Sequence, residues 1–222
     1  MESAPVLRFI RRAPQGIAPT GGEAALGVLG GTFNPVTCGH LALADQAQKH
    51  FQLDEVLFVQ PARLPHREPR EASLEDRLAM LELALRPYPR YSLAVSTHGI
   101  FLDIAQALES HYPQDARLLF LIGADAANRI LRWNYLDRKG ALRAMFHRFE
   151  LVIARREGEL RLPDDPELAP YRSRIHTLEM PAESQRISST QVREICRQGK
   201  TLEGLVPTDV VTYIRTRNLY RS

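Results

Sequence analysis

Strand-length apolar runs alternate along this chain with segments of helical periodicity, and that alternation leaves few architectures open. "ALGVLGG" from Ala25, "EVLFVQP" from Glu55, "YSLAVS" from Tyr91, "RLLFLIG" from Arg117 and "ELVIARR" from Glu150 are apolar runs of strand length, and "RIHTLEM" from Arg174 adds a sixth candidate. After the first run, Leu41, Ala44, Ala47 and Phe51 recur every three or four residues, as on one face of a helix. After the second, "SLEDRLAMLELAL" opens with Ser73 and has Asp76 three residues on, a capping-box pattern, followed by a face of Leu74, Leu78, Leu81 and Leu85. Apolar strands separated by helices imply a sheet buried on both faces. The expected class is α/β, a doubly wound, mostly parallel sheet with helices on both faces. In such sheets ligands gather outside the carboxyl ends of the strands.

At 222 residues, with 44% apolar and 25% charged residues, the chain has the size and composition of one globular domain. Residues 25–222 are read as that domain and residues 1–24 as a flexible extension. The extension carries Arg8, Arg11 and Arg12 but no apolar stretch of secretory type; an organelle-targeting presequence is the alternative, with Glu2 and Glu23 against it. No run approaches the roughly 20 apolar residues that span a bilayer. A net charge of +3 gives no reason to expect nucleic acid. Of the 29 basic residues only Lys49, Lys139 and Lys200 are lysine, a bias too widely spread to single out phosphate-binding arginines. Cys38 and Cys196 have neither metal-ligand spacing nor a disulfide framework and read as buried thiols in a reducing compartment, so a cytoplasmic protein is expected. The sequence leaves the oligomeric state open, a homo-oligomer included.

The junction after the first strand, "GGTFNPVTCGH" from Gly30 to His40, places glycines and a helix entrance where a phosphate could bind. It matches neither G-x-G-x-x-G nor G-x-x-x-x-G-K-[ST], so neither a dinucleotide fingerprint nor a phosphate-loop NTPase is supported. Thr37 and His40, three residues apart, can face one anion; equally, Thr37 can cap the helix and His40 can be a satisfied polar residue. Far downstream, "ISSTQVREICRQGK" shows a second helix entrance. Ser188 and Gln191 suggest a capping box, Val192, Ile195 and Cys196 an apolar face, and Gly199 a terminator. Ser188, Ser189 and Thr190 gather hydroxyls and N–H groups at this positive helix end. Arg193 lies near it, where a helix dipole alone would disfavour a cation and a phosphate would favour one. Two helix entrances could clamp one polyphosphate.

With both motifs in hand, the sequence resembles the T/HxGH nucleotidyltransferase superfamily, and within it the pyridine-nucleotide adenylyltransferases. "LIGADAANRILRW" is similar to the family's nucleotide-pocket segment and "LVPTDVVTYIRTRNLY" to its C-terminal segment. The resemblance implies transfer of AMP from ATP to nicotinic acid mononucleotide, giving a dinucleotide and pyrophosphate, with Mg²⁺ carried on the ATP phosphates and no side-chain metal site. It implies catalytic roles for His40, Thr37 and Arg193. An ATP site is implied from Gly30, Gly31, Thr32, Phe33, Asn34, Gly39, His40, Gly123, Asp125, Ser188, Ser189, Thr190 and Arg193, with Asp125 as a ribose contact. An acceptor site is implied from His66, Arg67, Thr97 and Trp133; Trp133 either stacks on a pyridine ring or packs as a partly buried aromatic. Three positions depart from the pattern. Thr37 replaces a histidine of many bacterial members, Arg67 stands where a lysine is usual, and "STHGIFLDIAQAL" lacks a Ser-Tyr-Thr run. Nicotinamide mononucleotide, a phosphopantetheine-like acceptor and a non-catalytic nucleotide-binding regulator are therefore the alternatives.

Overall fold

The computed structural model describes residues 5–18, 24–62, 71–99, 101–131, 137–155 and 165–221. Seven strands form one sheet: β1 (Leu7–Arg11), β2 (Ala25–Gly30), β3 (Glu55–Pro61), β4 (Tyr91–Ser96), β5 (Arg117–Gly123), β6 (Glu150–Arg155) and β7 (Ile175–Glu179). The helices are α1 (Cys38–Phe51), α2 (Leu74–Leu85), α3 (Phe101–Leu108), α4 (Ala124–Leu131), α5 (Arg138–Arg148), α6 (Ala182–Gln185), α7 (Ser189–Arg197) and α8 (Thr208–Thr216), with a 3₁₀ turn at Ala169–Arg174. Every apolar run read as a strand is one, the sixth included.

The strand order is β1-β4-β3-β2-β5-β6-β7. All neighbours are parallel except the β1–β4 pair. The alternation of side chains along the strands divides the core in two. Leu29, Phe58, Leu93, Leu121 and Val152 face α1, α2, α7 and α8; Val28, Leu57, Phe120, Leu151 and Ile153 face α3, α4 and α5. The sheet is thus doubly wound, as the continuous apolar runs require. On α2 the buried face is shifted from the expected one: Leu81 and Leu85 are buried, joined by Met80, Ala84 and the charged pair Asp76 and Arg77. No helix among the described residues is long and apolar enough to cross a membrane.

The flexible reading of residues 1–24 is corrected between Leu7 and Ile17. Leu7 to Arg11 pair antiparallel with β4, and Leu7 is buried. Two of the three arginines that suggested a loose basic extension, Arg11 and Arg12, are anchors. Arg11 donates to the carbonyls of Leu85 and Tyr88 at the end of α2, where a cation suits the helix dipole. Arg12 lies over the Phe9 ring, 3.4 Å from its centroid. Buried Glu55 accepts the Ile17 N–H at 2.8 Å and the Tyr112 hydroxyl at 2.5 Å, tying down the rest of the segment.

The sheet order reverses at β2. From β2 the chain moves outward to β3 and β4, then crosses back to place β5 on the other side of β2. The crevice lies at the carboxyl ends of β2 and β5, at Gly30 and Gly123. Among the described residues a Cβ added at Gly123 would meet nothing within 4 Å, and one at Gly30 only the edge of Phe101 at 3.7 Å. Both strand ends therefore open onto unfilled space.

Candidate active site

From Gly30 the chain turns through residues 31–37 into α1. Thr37, fully buried, is the N-cap, and its capping box with His40 is closed in both directions. The Thr37 hydroxyl accepts from the His40 N–H at 3.4 Å, and His40 Nδ1 accepts the Thr37 N–H at 3.0 Å. Nδ1 also lies 2.8 Å from the Thr37 hydroxyl. A ring nitrogen that accepts a main-chain N–H carries no proton, so the neutral imidazole bears its proton on Nε2. The buried Phe33 ring meets the imidazole edge-on at 5.2 Å and fixes its tilt. Capping and ligand-facing readings of this pair are thus compatible, because the cap is what sets the ring's tautomer and direction.

The second motif arrives at the same place. Ser188 caps α7 by accepting the Gln191 N–H at 3.2 Å. Gly199, at φ +67°, ends the helix, with its own N–H and that of Lys200 returned to Cys196 and Ile195. Gly39 makes the meeting of the motifs sterically feasible: a Cβ there would stand 2.9 Å from the Ile187 carbonyl oxygen. This glycine is in the first turn of α1 because the backbone before α7 crosses at that point. His40, Thr37, Gly30, Gly123, Ser188 and Ser189 consequently line one cleft of about 210 Å³, with Gly39 in its wall. Larger depressions exist, one of about 500 Å³ lined by Arg11, Glu82 and Arg86 and one of about 570 Å³ lined by Cys196, Gly199 and Lys200 at the far end of α7, but neither is lined by the helix entrances at Thr37 and Ser188.

Several expected ligand contacts are engaged with the protein. Ser189 donates its hydroxyl to the Pro35 carbonyl at 2.8 Å. Arg193 donates to the Asn34 carbonyl at 2.8 Å, to the Thr190 hydroxyl at 3.3 Å and, through Nε, to Glu71 at 2.9 Å. Arg193 therefore has protein partners that answer its unfavourable place near a helix start. These three contacts use three of the five guanidinium donors. Asn34 and Phe33 are buried and support the turn from beneath, while Gly31 and Thr32 lie partly open. The Asn34–Pro35 peptide is cis. Asp125 is exposed in the first turn of α4, just past Gly123.

Across Gly30 a second cleft of about 190 Å³ is lined by Gly31, Thr32, Val59, Pro61, Gly99, Phe101 and Ile104. Phe101 borders both clefts and stands between them. Thr97, expected at the acceptor site, is not among the residues lining this cleft. It is at the end of β4, its hydroxyl accepting the Val6 N–H at 3.0 Å and meeting His98 at 2.9 Å. His66, Arg67 and Trp133 lie outside the described residues. Cys38 and Cys196 are half-buried rather than buried; burial pushes both thiols up, so neither is a ready nucleophile. Sequence reading missed Phe101, Glu71, Arg77 and Tyr220. Of these only Glu71 lay outside the quoted stretches; Phe101, Arg77 and Tyr220 lay within them, but nothing local marks an aromatic or an arginine whose partner is far along the chain.

Residues 28–195 match the cytidylyltransferase-like family. A probable nicotinate-nucleotide adenylyltransferase of Acidothermus cellulolyticus is 36% identical over 91% of this chain and 97% of its own length. Its counterpart in Bordetella avium is 34% identical over 88% of this chain and 98% of its own. Among solved structures, the Plasmodium falciparum nicotinic acid mononucleotide adenylyltransferase complexed with NaAD superposes with a TM-score of 0.70 at 15% identity, over 89% of this chain and 98% of that one, a likeness of fold. The chain belongs to the cytidylyltransferase-like family and groups there with the nicotinate-nucleotide adenylyltransferases.

Proposed function

We propose that this protein transfers AMP from ATP to nicotinic acid mononucleotide, releasing pyrophosphate and forming nicotinic acid adenine dinucleotide in NAD biosynthesis. The observation that carries the reading is the meeting of the Thr37–His40 cap and the Ser188–Ser189 helix start on one cleft at the sheet's switch point. The acceptor's phosphate is already anionic at neutral pH, so the chemistry needs alignment and charge stabilisation rather than a general base. His40 Nε2–H donates to the α-phosphate as charge develops, and Thr37 sets the donor's direction. The Ser188 and Thr190 hydroxyls, the Ser189 N–H and the remaining Arg193 donors hold the leaving β- and γ-phosphates, with the Gly30–Thr32 and Gly39 backbone alongside. Gly123 leaves room for the nucleoside, and Asp125 meets the ribose.

The cleft is lined by hydroxyls, N–H donors and the His40 imidazole, with the Arg193 guanidinium held on the neighbouring turn, a set that suits phosphate oxygens rather than a cation. Among the described residues no three His, Cys, Asp or Glu side chains gather to ligate a metal. In this reading Mg²⁺ enters with ATP, where it would neutralise phosphate charge. The working unit in this reading is a single domain of residues 25–222 with β1 of the preceding segment added to its sheet, acting in the cytoplasm without nucleic acid or membrane.

Nicotinamide mononucleotide is the second reading, favoured by Arg67 in place of the usual lysine and by the missing Ser-Tyr-Thr run in "STHGIFLDIAQAL". Incubation with ATP and Mg²⁺ against nicotinic acid mononucleotide, nicotinamide mononucleotide and phosphopantetheine, following pyrophosphate, separates the acceptors. ATP binding without turnover on all three would replace the enzyme with a nucleotide-binding regulator.

A further inference from the structure

The turn between β2 and α1 is held from behind through its carbonyl oxygens. Arg77, 1% exposed, donates to the Thr32 carbonyl at 3.2 Å. Arg193 holds the Asn34 carbonyl and Ser189 that of Pro35, both at 2.8 Å. The fourth grip is on a side chain. Tyr220, 2% exposed, donates its hydroxyl to Asn34 Oδ1 at 2.7 Å. In a trans peptide the N–H lies opposite the carbonyl. Anchoring Thr32 and Pro35 through their oxygens therefore sets the directions of the Phe33 and Val36 N–H groups.

We infer that Tyr220 is a positioning residue for adenylyl transfer, acting through Asn34 to hold the glycine turn in its phosphate-binding shape. The inference rests on the reading that this turn receives ATP phosphates. Asn34 is the residue gripped at both ends, by Tyr220 at its side chain and Arg193 at its carbonyl. Burial pushes the Tyr220 phenol well above its usual range, so it remains a donor at any pH where the fold survives.

Tyr220→Phe deletes one oxygen and keeps the packing ring. Turnover should fall about tenfold, the scale of one buried hydrogen bond, while the Kd for ATP moves by less than about threefold. Amide exchange at residues 31–36 should quicken, with exchange in β3 unchanged. A merely structural role would instead raise exchange throughout or lower Tm with normal turnover in the folded protein. Asn34→Ala tests the pair from the other side: Tyr220→Phe added to it should cost nothing further. Wild-type kcat in Tyr220→Phe, unchanged exchange at residues 31–36, or additive losses in the double variant would each overturn the inference. If the wild type forms no dinucleotide, the functional reading fails, and the exchange measurement alone still decides whether Tyr220 holds the turn.

Discussion

His40 is a donor whose direction is set by its own helix cap. Nδ1 is committed to Thr37, so in the proposed reaction it falls to Nε2 to stabilise developing charge, and the effect should appear in the transition state. His40→Ala is expected to lower kcat by about 10²- to 10³-fold with a smaller change in ATP affinity. Single-turnover kinetics beside ATP titration will separate the two. Arg193 bears two loads. Its fork joins Glu71 to the Asn34 carbonyl, a geometry that a lysine cannot copy. Arg193→Ala should therefore lose about 1.5 to 3 kcal/mol in urea unfolding and weaken ATP binding as well. Arg193→Lys should recover little of either. Intact stability with lost ATP binding would mean that Arg193 serves the ligand alone.

At the scale of elements, the site is a contact between two helix entrances, and Gly39 sets their spacing. Gly39→Ala drives a Cβ against the Ile187 carbonyl, a backbone atom that cannot swing aside. A cost of about 1–3 kcal/mol is expected. Turnover should fall further than stability, because the strain separates His40 from Ser188. Ser188→Ala, by contrast, should cost about 1 kcal/mol of stability through the lost cap. Comparing kcat and urea midpoint for the two variants checks both. These entrances were legible in sequence because caps, periodicity and glycine terminators are short-range: Thr37 to His40, Ser73 to Asp76 and Ser188 to Gln191 each span three residues. The grip on the turn was not. Arg77 reaches Thr32 across 45 residues, Arg193 reaches Asn34 across 159, and Tyr220 reaches Asn34 across 186. Strand β1 escaped notice for the same reason: scattered arginines look loose until α2 and β4 supply their partners.

Over the whole molecule, two buried carboxylates tie distant elements together. Burial alone would raise the Asp76 carboxyl, but hydrogen bonds from Tyr213 and Ser73 and the charge of Arg217 outweigh it and leave it below the usual range. Glu150 behaves alike: burial opposes, yet hydrogen bonds with Arg117 and His176 and their charges hold it low. Both groups bind protons more weakly when folded, so their contribution is present above the ordinary carboxyl pKa of about 4. It is lost as pH falls through that value and the depressed folded ones. The urea midpoint should drop on going from neutral pH to about pH 3. Asp76→Asn and Glu150→Gln should each shrink that drop while lowering the neutral-pH value.

The reversal of strand order at β2 also governs how a nucleotide acts on the chain that binds it. Ala25 to Val28 pair with Arg117 to Phe120, residues far along the chain, whereas the β2–β3 pairing joins near neighbours in sequence. The seam between β2 and β5 is thus the distant loop closure, and the cleft exists only when it is shut. A ligand across Gly30 and Gly123 binds the closed seam and has no site on an open one. By mass action, ATP at about 100 times its Kd should add about 2.7 kcal/mol to stability. Amide exchange in β5, with and without a non-hydrolysable ATP analogue, should register that gain as rarer opening of the β2–β5 seam, so that the substrate also serves as the chain's own folding chaperone.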